Sequence, residues 1–475
     1  MQLIAYTIKK QNSQPLYQQL IDQIKSAIHE QRLQKGDKLP SKRRLSQYLQ
    51  ISQNTIETAY SQLIAEGYIE SVSKVGFFVN VQAGDTLLDK RSDFCKNLQK
   101  SPKITPLNKS QYKVDFNPNR IDSQHFPFEK WKKLSKQILN KSHRHLLHLS
   151  DTQGDLSLRE QLASYLSASR GVRCEAEQIM ITSGVEQLIQ CLMLILEQKY
   201  SKPLVYGMEE FGYRIVENVL RLYQKRWVKL SINAEDKRLD LADFLQKNID
   251  VAYLTPSHQY PFGSVLNIEQ RQQLLEWAKE KPTRYLIEDD YDGEFRYQGK
   301  PIPSLQSLDQ ADKVIYFGSL SKLLMPSIRI SFMVLPKSLL QDYQPIKQHF
   351  NCSVSRLDQQ MVCLFMQQGF FEQHINRMRK LYRNKMEQLC RVLTPYSHKI
   401  TYYGESSGFY LLIELKNETR SSKQLMDLAE QSKIKIYPIN WQNKPLFVLG
   451  FGDLNERELE QGIAILLENW GVKKD

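Results

Sequence analysis

The sequence predicts two unlike halves: a small α+β unit of three helices and a β-hairpin over residues 1–80, and an α/β unit with a mainly parallel sheet, covered on both faces, over residues 112–475. Three observations lead there. Apolar residues recur at helical spacing between positions 16 and 63, from residue 112 onward strand-length apolar runs alternate with helical stretches, and the residues between are polar and aperiodic. A chain of 475 residues is also too long for a single core.

In the first unit, Leu16, Leu20, Ile24 and Ile28 share one face of a helix over 15–31, with Pro15 suited to its first turn. Gly36 and Asp37 make a turn, and Ser41 is placed to cap a short helix over 42–49. Ser52 is placed to cap a third helix running to about Glu66, with Ile56, Ala59, Tyr60 and Leu63 inward and Gly67 at its end. Residues 68–71 and 77–79 then read as a hairpin around 73–76. This order is that of a winged helix-turn-helix. On such a frame Ser52, Gln53, Asn54 and Thr55 present short amides and hydroxyls to base edges, Lys42, Arg43 and Arg44 reach phosphates, and Lys74 and Gly76 lie in the wing. Residues 1–80 hold ten Lys and Arg against six Asp and Glu.

Residues 81–111, with Pro102 and Pro106, read as a linker; a flexible chain of that length spans roughly 30 Å. Beyond it, strand-length runs at 178–182, 203–206, 251–254, 285–287 and 313–317 alternate with helical segments such as 156–166 and 186–197. A large subdomain over about 155–340 is expected, with a small subdomain made from the flanking segments. Net charge is +13, which points to a polyanionic partner. The six cysteines show neither paired nor metal-ligand spacing and read as reduced thiols of a cytoplasmic protein, so no metal is expected. The longest apolar run, 188–196, is about half a membrane span, so no membrane partner is expected either.

The polar motifs follow the strand ends, where ligands of such sheets bind. Lys322 emerges from the apolar run 314–317, where a lysine readily loses its proton and becomes a nucleophilic amine. Ser319, Ser321 and Arg329 around it can hold a phosphate. Ser183, Gly184 and Val185 form a glycine turn opening a helix, whose N–H groups suit the same phosphate. The acidic run 288–292 directly after a buried strand needs a partner for its carboxylates.

Residues 39–45 and 51–56 resemble the L-P-S-x-R-x-L and V-S-R-x-T-V segments of the GntR family DNA-binding domain, with Gln53 where that family usually has arginine. Residues 316–329 resemble the S-x-S-K cofactor segment of fold-type I, pyridoxal-phosphate-dependent aminotransferases of class I, followed by arginine at the family's distance. Residues 255–263 match the T-P-x-H-Q-x-P-x-G segment of the MocR subfamily, which joins the two domains. The resemblance implies pyridoxal 5'-phosphate (PLP) as cofactor, Lys322 as its Schiff-base lysine, Asp289 at the ring nitrogen and Tyr291 at the ring hydroxyl. It also implies Tyr213 stacked on the ring and His258 and Tyr260 as further contacts, although Phe211 replaces a usual proline and Tyr260 stands near the usual asparagine. It implies a head-to-tail homodimer on double-stranded operator DNA.

Amino-acid transaminases clamp the substrate carboxylate with an arginine near the C-terminus; here Val448 takes that position, and valine makes no bidentate clamp. The expectation is therefore a PLP-dependent transcriptional regulator that senses PLP, an amine or an amino acid, with Arg214 meeting an anionic end. The alternatives are a genuine aminotransferase with an accessory DNA-binding domain and a cofactor-independent repressor.

Overall fold

A computed structural model of the chain describes residues 8, 14–81, 112–299, 302–442 and 444–474, and divides into two compact units, residues 1–109 and 110–475. The expected linker, 81–111, lies outside the described residues apart from Val81.

The first unit has the element order α1 (Leu16–His29), β1 (Lys38–Leu39), α2 (Lys42–Leu49), α3 (Gln53–Ala65), β2 (Ile69–Val72) and β3 (Gly76–Val79). Its core gathers Leu20, Ile24, Leu45, Ile56, Tyr60, Leu63 and Val79, the apolar faces read from the periodicity. Ser41 caps α2 by accepting from the Arg44 amide at 3.3 Å, and Ser52 caps α3 by accepting from the Thr55 amide at 3.1 Å. Strand β1 is an addition to the expected hairpin: Lys38 and Leu39 pair with Phe78 and Phe77, making a three-stranded sheet of order β1-β3-β2. Two residues are too short a run to show alternation.

In the second unit, β5 (Ile179–Thr182), β6 (Val205–Glu209), β7 (Arg226–Leu230), β8 (Val251–Leu254), β9 (Tyr285–Asp290), β10 (Val314–Ser319) and β11 (Ser331–Val334) follow the small β4 (Val114–Asp115). They form a seven-stranded sheet of order β5-β11-β10-β9-β8-β6-β7. Five strand runs are expected from sequence; β7 and β11 are the two unforeseen. Charged Arg226 and Lys229 hide β7, which is the sheet edge. Strand β11 runs antiparallel to both its neighbours, because the short return from β10 carries no crossover helix. That return is the segment holding Lys322 and Arg329.

Helices cover both faces. One face packs Tyr253, Ile287, Ile315 and Met333 against the helix Val185–Lys199, and the other packs Leu254, Leu286 and Val314 against Leu274 and Trp277 of the helix Ile268–Lys279. A four-stranded antiparallel sheet, in the order Ile400–Tyr403, Tyr410–Leu415, Lys444–Gly450 and Tyr437–Trp441, forms the C-terminal part. Strand β4 pairs in parallel with residues 434–435, so the start of this unit is built into its C-terminal part. Among the described residues no helix is long and apolar enough to cross a membrane, and no group of three His, Cys, Asp or Glu side chains is placed to hold a metal.

Candidate functional site

Sheet order assembles the site. β11 lies between β5 and β10, and Ser331 on it pairs with Ser319 on one side and Thr182 on the other. The Ser183–Gly184 turn, which follows Thr182, and the Ser319–Lys322 segment, which follows β10, therefore open at the same sheet end although about 135 residues separate them.

Gly184 caps the helix Val185–Lys199 at φ +151°, a conformation that favours glycine. A Cβ there would stand 2.3 Å from an Arg329 guanidinium nitrogen and 2.5 Å from a Glu186 carboxylate oxygen, so only glycine leaves the cup open. Arg329, itself at φ +50°, pairs with Glu186 at 2.5 Å, so the guanidinium at this helix mouth already takes an anionic partner. Ser319 Oγ accepts from the Ser321 amide at 3.2 Å and lies 3.2 Å from Ser331 Oγ. Ser353, which the sequence reading missed, accepts from the Ser183 amide at 3.0 Å.

Lys322 Nζ donates to the Pro118 carbonyl at 2.5 Å and lies 5.4 Å from the centroid of the Phe409 ring. Burial pushes its amine down to about 8, against the opposing field of Asp292. Asp289, at the end of β9, is buried. Burial pushes its carboxyl up to about 7, while the Tyr253 hydroxyl, which donates to it, and the neighbouring carboxylates act in opposite directions. Tyr253 is the partner a buried carboxylate requires, and only the neighbouring strand β8 brings it there. Tyr213 sits at the N-terminus of the helix Arg214–Leu222, 42% exposed. Its phenol is pushed upward by burial and by the charges of Asp289 and Glu186, and Arg329 offsets part of this, so the ring stands among both halves of the site.

His258 is buried. Its Nδ1 lies 2.8 and 2.9 Å from the two Asp292 oxygens, and its ring stacks on Tyr410 with centroids 5.4 Å apart. The Tyr291 hydroxyl donates to the His258 carbonyl at 3.0 Å. Tyr260 packs edge-on against Tyr410, and burial raises its phenol to about 12 although exposed Arg214 opposes this. Asp292 was read only as part of the acidic run 288–292, and the buried Glu209 went unread in the sequence. Glu209 accepts from the Thr255 amide at 3.2 Å, its hydroxyl at 2.5 Å and Gln259 Nε2 at 3.1 Å, and burial lifts it to about 7. Its position at the end of β6 is a signal available in the sequence, because polar residues at strand ends mark ligand crevices. Val448 is fully buried in an apolar cluster with Phe262, Tyr410 and Leu412.

The site residues fit PLP. The glycine cup with Arg329 suits a phosphate, Asp289 suits a pyridinium nitrogen, and Lys322 is an amine that burial disposes to lose its proton.

In the first unit, Gln53, Asn54, Arg43 and Arg44 are exposed on α2 and α3. Ser52 and Thr55 are turned inward to each other, their hydroxyls 2.8 Å apart, and Lys42 is held by Glu57 at 2.5 Å over the Phe77 ring. Lys74, at φ +61°, and Gly76 shape the turn of the wing.

Residues 16–79 match the gntR family of bacterial regulatory proteins, and residues 109–447 match aminotransferase class I and II. The HTH-type transcriptional regulator YdeL of Bacillus subtilis (strain 168) is 37% identical over 471 residues, 96% of this chain and 97% of that protein. The probable rhizopine catabolism regulatory protein MocR of Rhizobium meliloti is 30% identical over 467 residues, 95% of this chain and 93% of that protein. Among solved structures, Pyrococcus horikoshii kynurenine aminotransferase superposes with a TM-score of 0.66 at 23% identity, over 80% of this chain and 93% of that one, a likeness of fold.

Proposed function

The chain belongs to the MocR subfamily of gntR-type, HTH transcriptional regulators, and from that premise we propose that residues 112–475 bind PLP at Lys322 as a sensing site governing the winged helix. The observation that carries the proposal is one sheet end that gathers the half-buried Lys322 amine, the buried Asp289 carboxyl on the neighbouring strand and the anion cup of Gly184 and Arg329. When bound, PLP supplies an aldehyde that condenses with amines and a ring that takes up electron density.

The chain's own groups divide the work. Lys322 Nζ, neutral above about 8, is the nucleophile. The Asp289 carboxylate holds a proton at the ring nitrogen. The Gly184 and Val185 amides, with Ser183, Ser319, Ser321 and Arg329, would hold the phosphate, Tyr213 would cover the ring, and the Tyr291 hydroxyl, which donates to the His258 carbonyl, would serve the ring oxygen. His258 orients this wall through Asp292, and Tyr260 lines it. Arg214 meets the anionic end of an amine or amino-acid effector, or PLP is itself the signal.

Val448 favours sensing over turnover, since an apolar wall stands where a transaminase holds its substrate carboxylate. Two copies, arranged head to tail, set two winged helices on paired half-sites, where Gln53 and Asn54 read bases, Arg43, Arg44 and Lys74 hold phosphates, and ligand shifts the equilibrium between arrangements.

Full-length protein mixed with PLP is expected to gain visible absorbance, to lose it in Lys322→Ala, and to change its affinity for operator DNA on loading. A colourless mixture sinks the proposal. Turnover of an amino-acid panel at ordinary enzyme rates replaces it with the aminotransferase reading, which the intact Lys322 and Asp289 would also serve.

A further inference from the structure

Residues 112–475 carry 49 Lys and Arg against 43 Asp and Glu, an excess of six, and residues 128–148 alone hold six against one. Nearly the whole excess of the larger unit thus sits in 21 consecutive residues. They form the helix Phe128–Ile138 and a following 3-10 stretch, Lys141–Leu147. Lys132, Lys133, Lys136, Lys141 and Arg144 are all exposed, and none has an ion-pair partner among the described residues.

A second helix extends the same face. Phe370–Leu393 meets the first through Lys130, whose Nζ donates to Gln373 Oε1 at 2.7 Å and sits over the Phe370 ring, and Arg377 donates to the carbonyl of His125, just before the first helix. Along it Arg377, Lys380 and Arg383 recur every three residues and are exposed. Glu129 and Glu372 are the carboxylates in the first turns of these two helices.

A cluster of unpaired cations repels itself and costs stability unless a polyanion meets it. The gntR-type domain of the same chain provides duplex DNA as that polyanion. We propose that this two-helix basic face is a second, sequence-independent DNA contact, gripping phosphates that flank the site held by the winged helix. It supplies affinity and a path for the duplex, while base reading stays with Gln53 and Asn54.

The inference rests on the DNA-binding reading of residues 1–80, and the test separates the two. Full-length protein is titrated against a mixed-sequence duplex of about 60 bp, long enough to run past two half-sites a turn apart, across a salt series. With two copies on the duplex, Lys132→Gln/Lys133→Gln/Lys136→Gln should make the slope of log affinity against log salt shallower by about 5. Arg43→Gln/Arg44→Gln should make it shallower by about 3 to 4, and the five substitutions together should approach the sum. An unchanged slope in the lysine variant overturns the second contact. An unchanged slope in the arginine variant instead overturns the role given to the winged helix. Visible absorbance with PLP should be retained in the lysine variant, and sedimentation should be unchanged; loss of subunit assembly would show this face to be a contact between copies and would also overturn the proposal.

Discussion

The two candidate sites of this chain are built on opposite principles. In the winged helix, the groups for DNA stand exposed on two short adjacent helices, each begun by its own serine cap, and nearly all come from residues 42–55. In the larger unit, the groups proposed for the cofactor are buried or half-buried apart from exposed Tyr213 and Arg329, come from segments as far apart as Gly184, Asp289 and Lys322, and are held by tertiary contacts such as that of Lys322 with the Pro118 carbonyl. An exposed cation serves by charge alone, so local structure suffices. An amine or carboxyl must be taken out of water to change its protonation, and only a folded core does that.

Glycine substitutions should separate the two regions most widely. Gly67 and Gly408 share nearly the same backbone, φ +78° and +82°, yet a Cβ on Gly67 meets nothing within 4 Å while one on Gly408 would stand 2.2 Å from His258 Cε1 and 3.0 Å from Asp292. Gly408→Ala is expected to cost about 3 kcal/mol or more in urea unfolding, against about 1 kcal/mol for Gly67→Ala. Equal costs would break the contrast.

Removing a lysine should come next, with opposite sign in the larger unit. The Lys322 amine falls from its ordinary 10.5 to about 8, so the folded state binds fewer protons than the unfolded state between those values, and stability rises with pH across that window. Without cofactor, Lys322→Met should therefore stabilise the protein by about 2–3 kcal/mol at neutral pH and flatten that rise. Lys42→Met, at a partly exposed pair with Glu57, should stay within about 0.5 kcal/mol.

Asp289 sharpens the same point from the acid side. Its carboxyl rises from 3.8 to about 7, so its contribution is fully present below 3.8 and lost as pH rises through 7. Asp289→Asn should remove that loss, read as a flatter unfolding midpoint over that range. The Tyr253 hydroxyl, which offers the ionised form a partner, already limits that rise. Ser52→Ala is expected to cost about 1 kcal/mol by stripping the cap of α3 and to leave PLP absorbance untouched.

Much of the fold was legible because hydrophobic periodicity is local. The three helices, the hairpin and five of the seven strands of the larger sheet lie close to where the apolar pattern puts them. Strand β11 escaped because its antiparallel course depends on what it lies between, and β7 because an edge strand need not be apolar. In the site, Lys322, Gly184 and Arg329 announced themselves by residue type at a strand end or helix start. Tyr253 and Ser353 did not, since their role is to face another segment. His258 reads as a ligand contact from its motif, and the fold adds its pairing with Asp292, which no spacing rule foretells.

The amino-acid order by itself determined the element types, the two-part organisation, the caps of α2 and α3 and the choice of Lys322 as the candidate amine, most of which depend on neighbours within about one turn or one strand. Tertiary structure alone decided that Gly184 and Arg329 share one cup, that Tyr253 meets Asp289, that Val448 lines an apolar wall, and that the lysine is covered enough to shed its proton. The division follows from range: steric and capping preferences act over a few bonds, whereas desolvation depends on whatever the whole fold brings within a few ångströms.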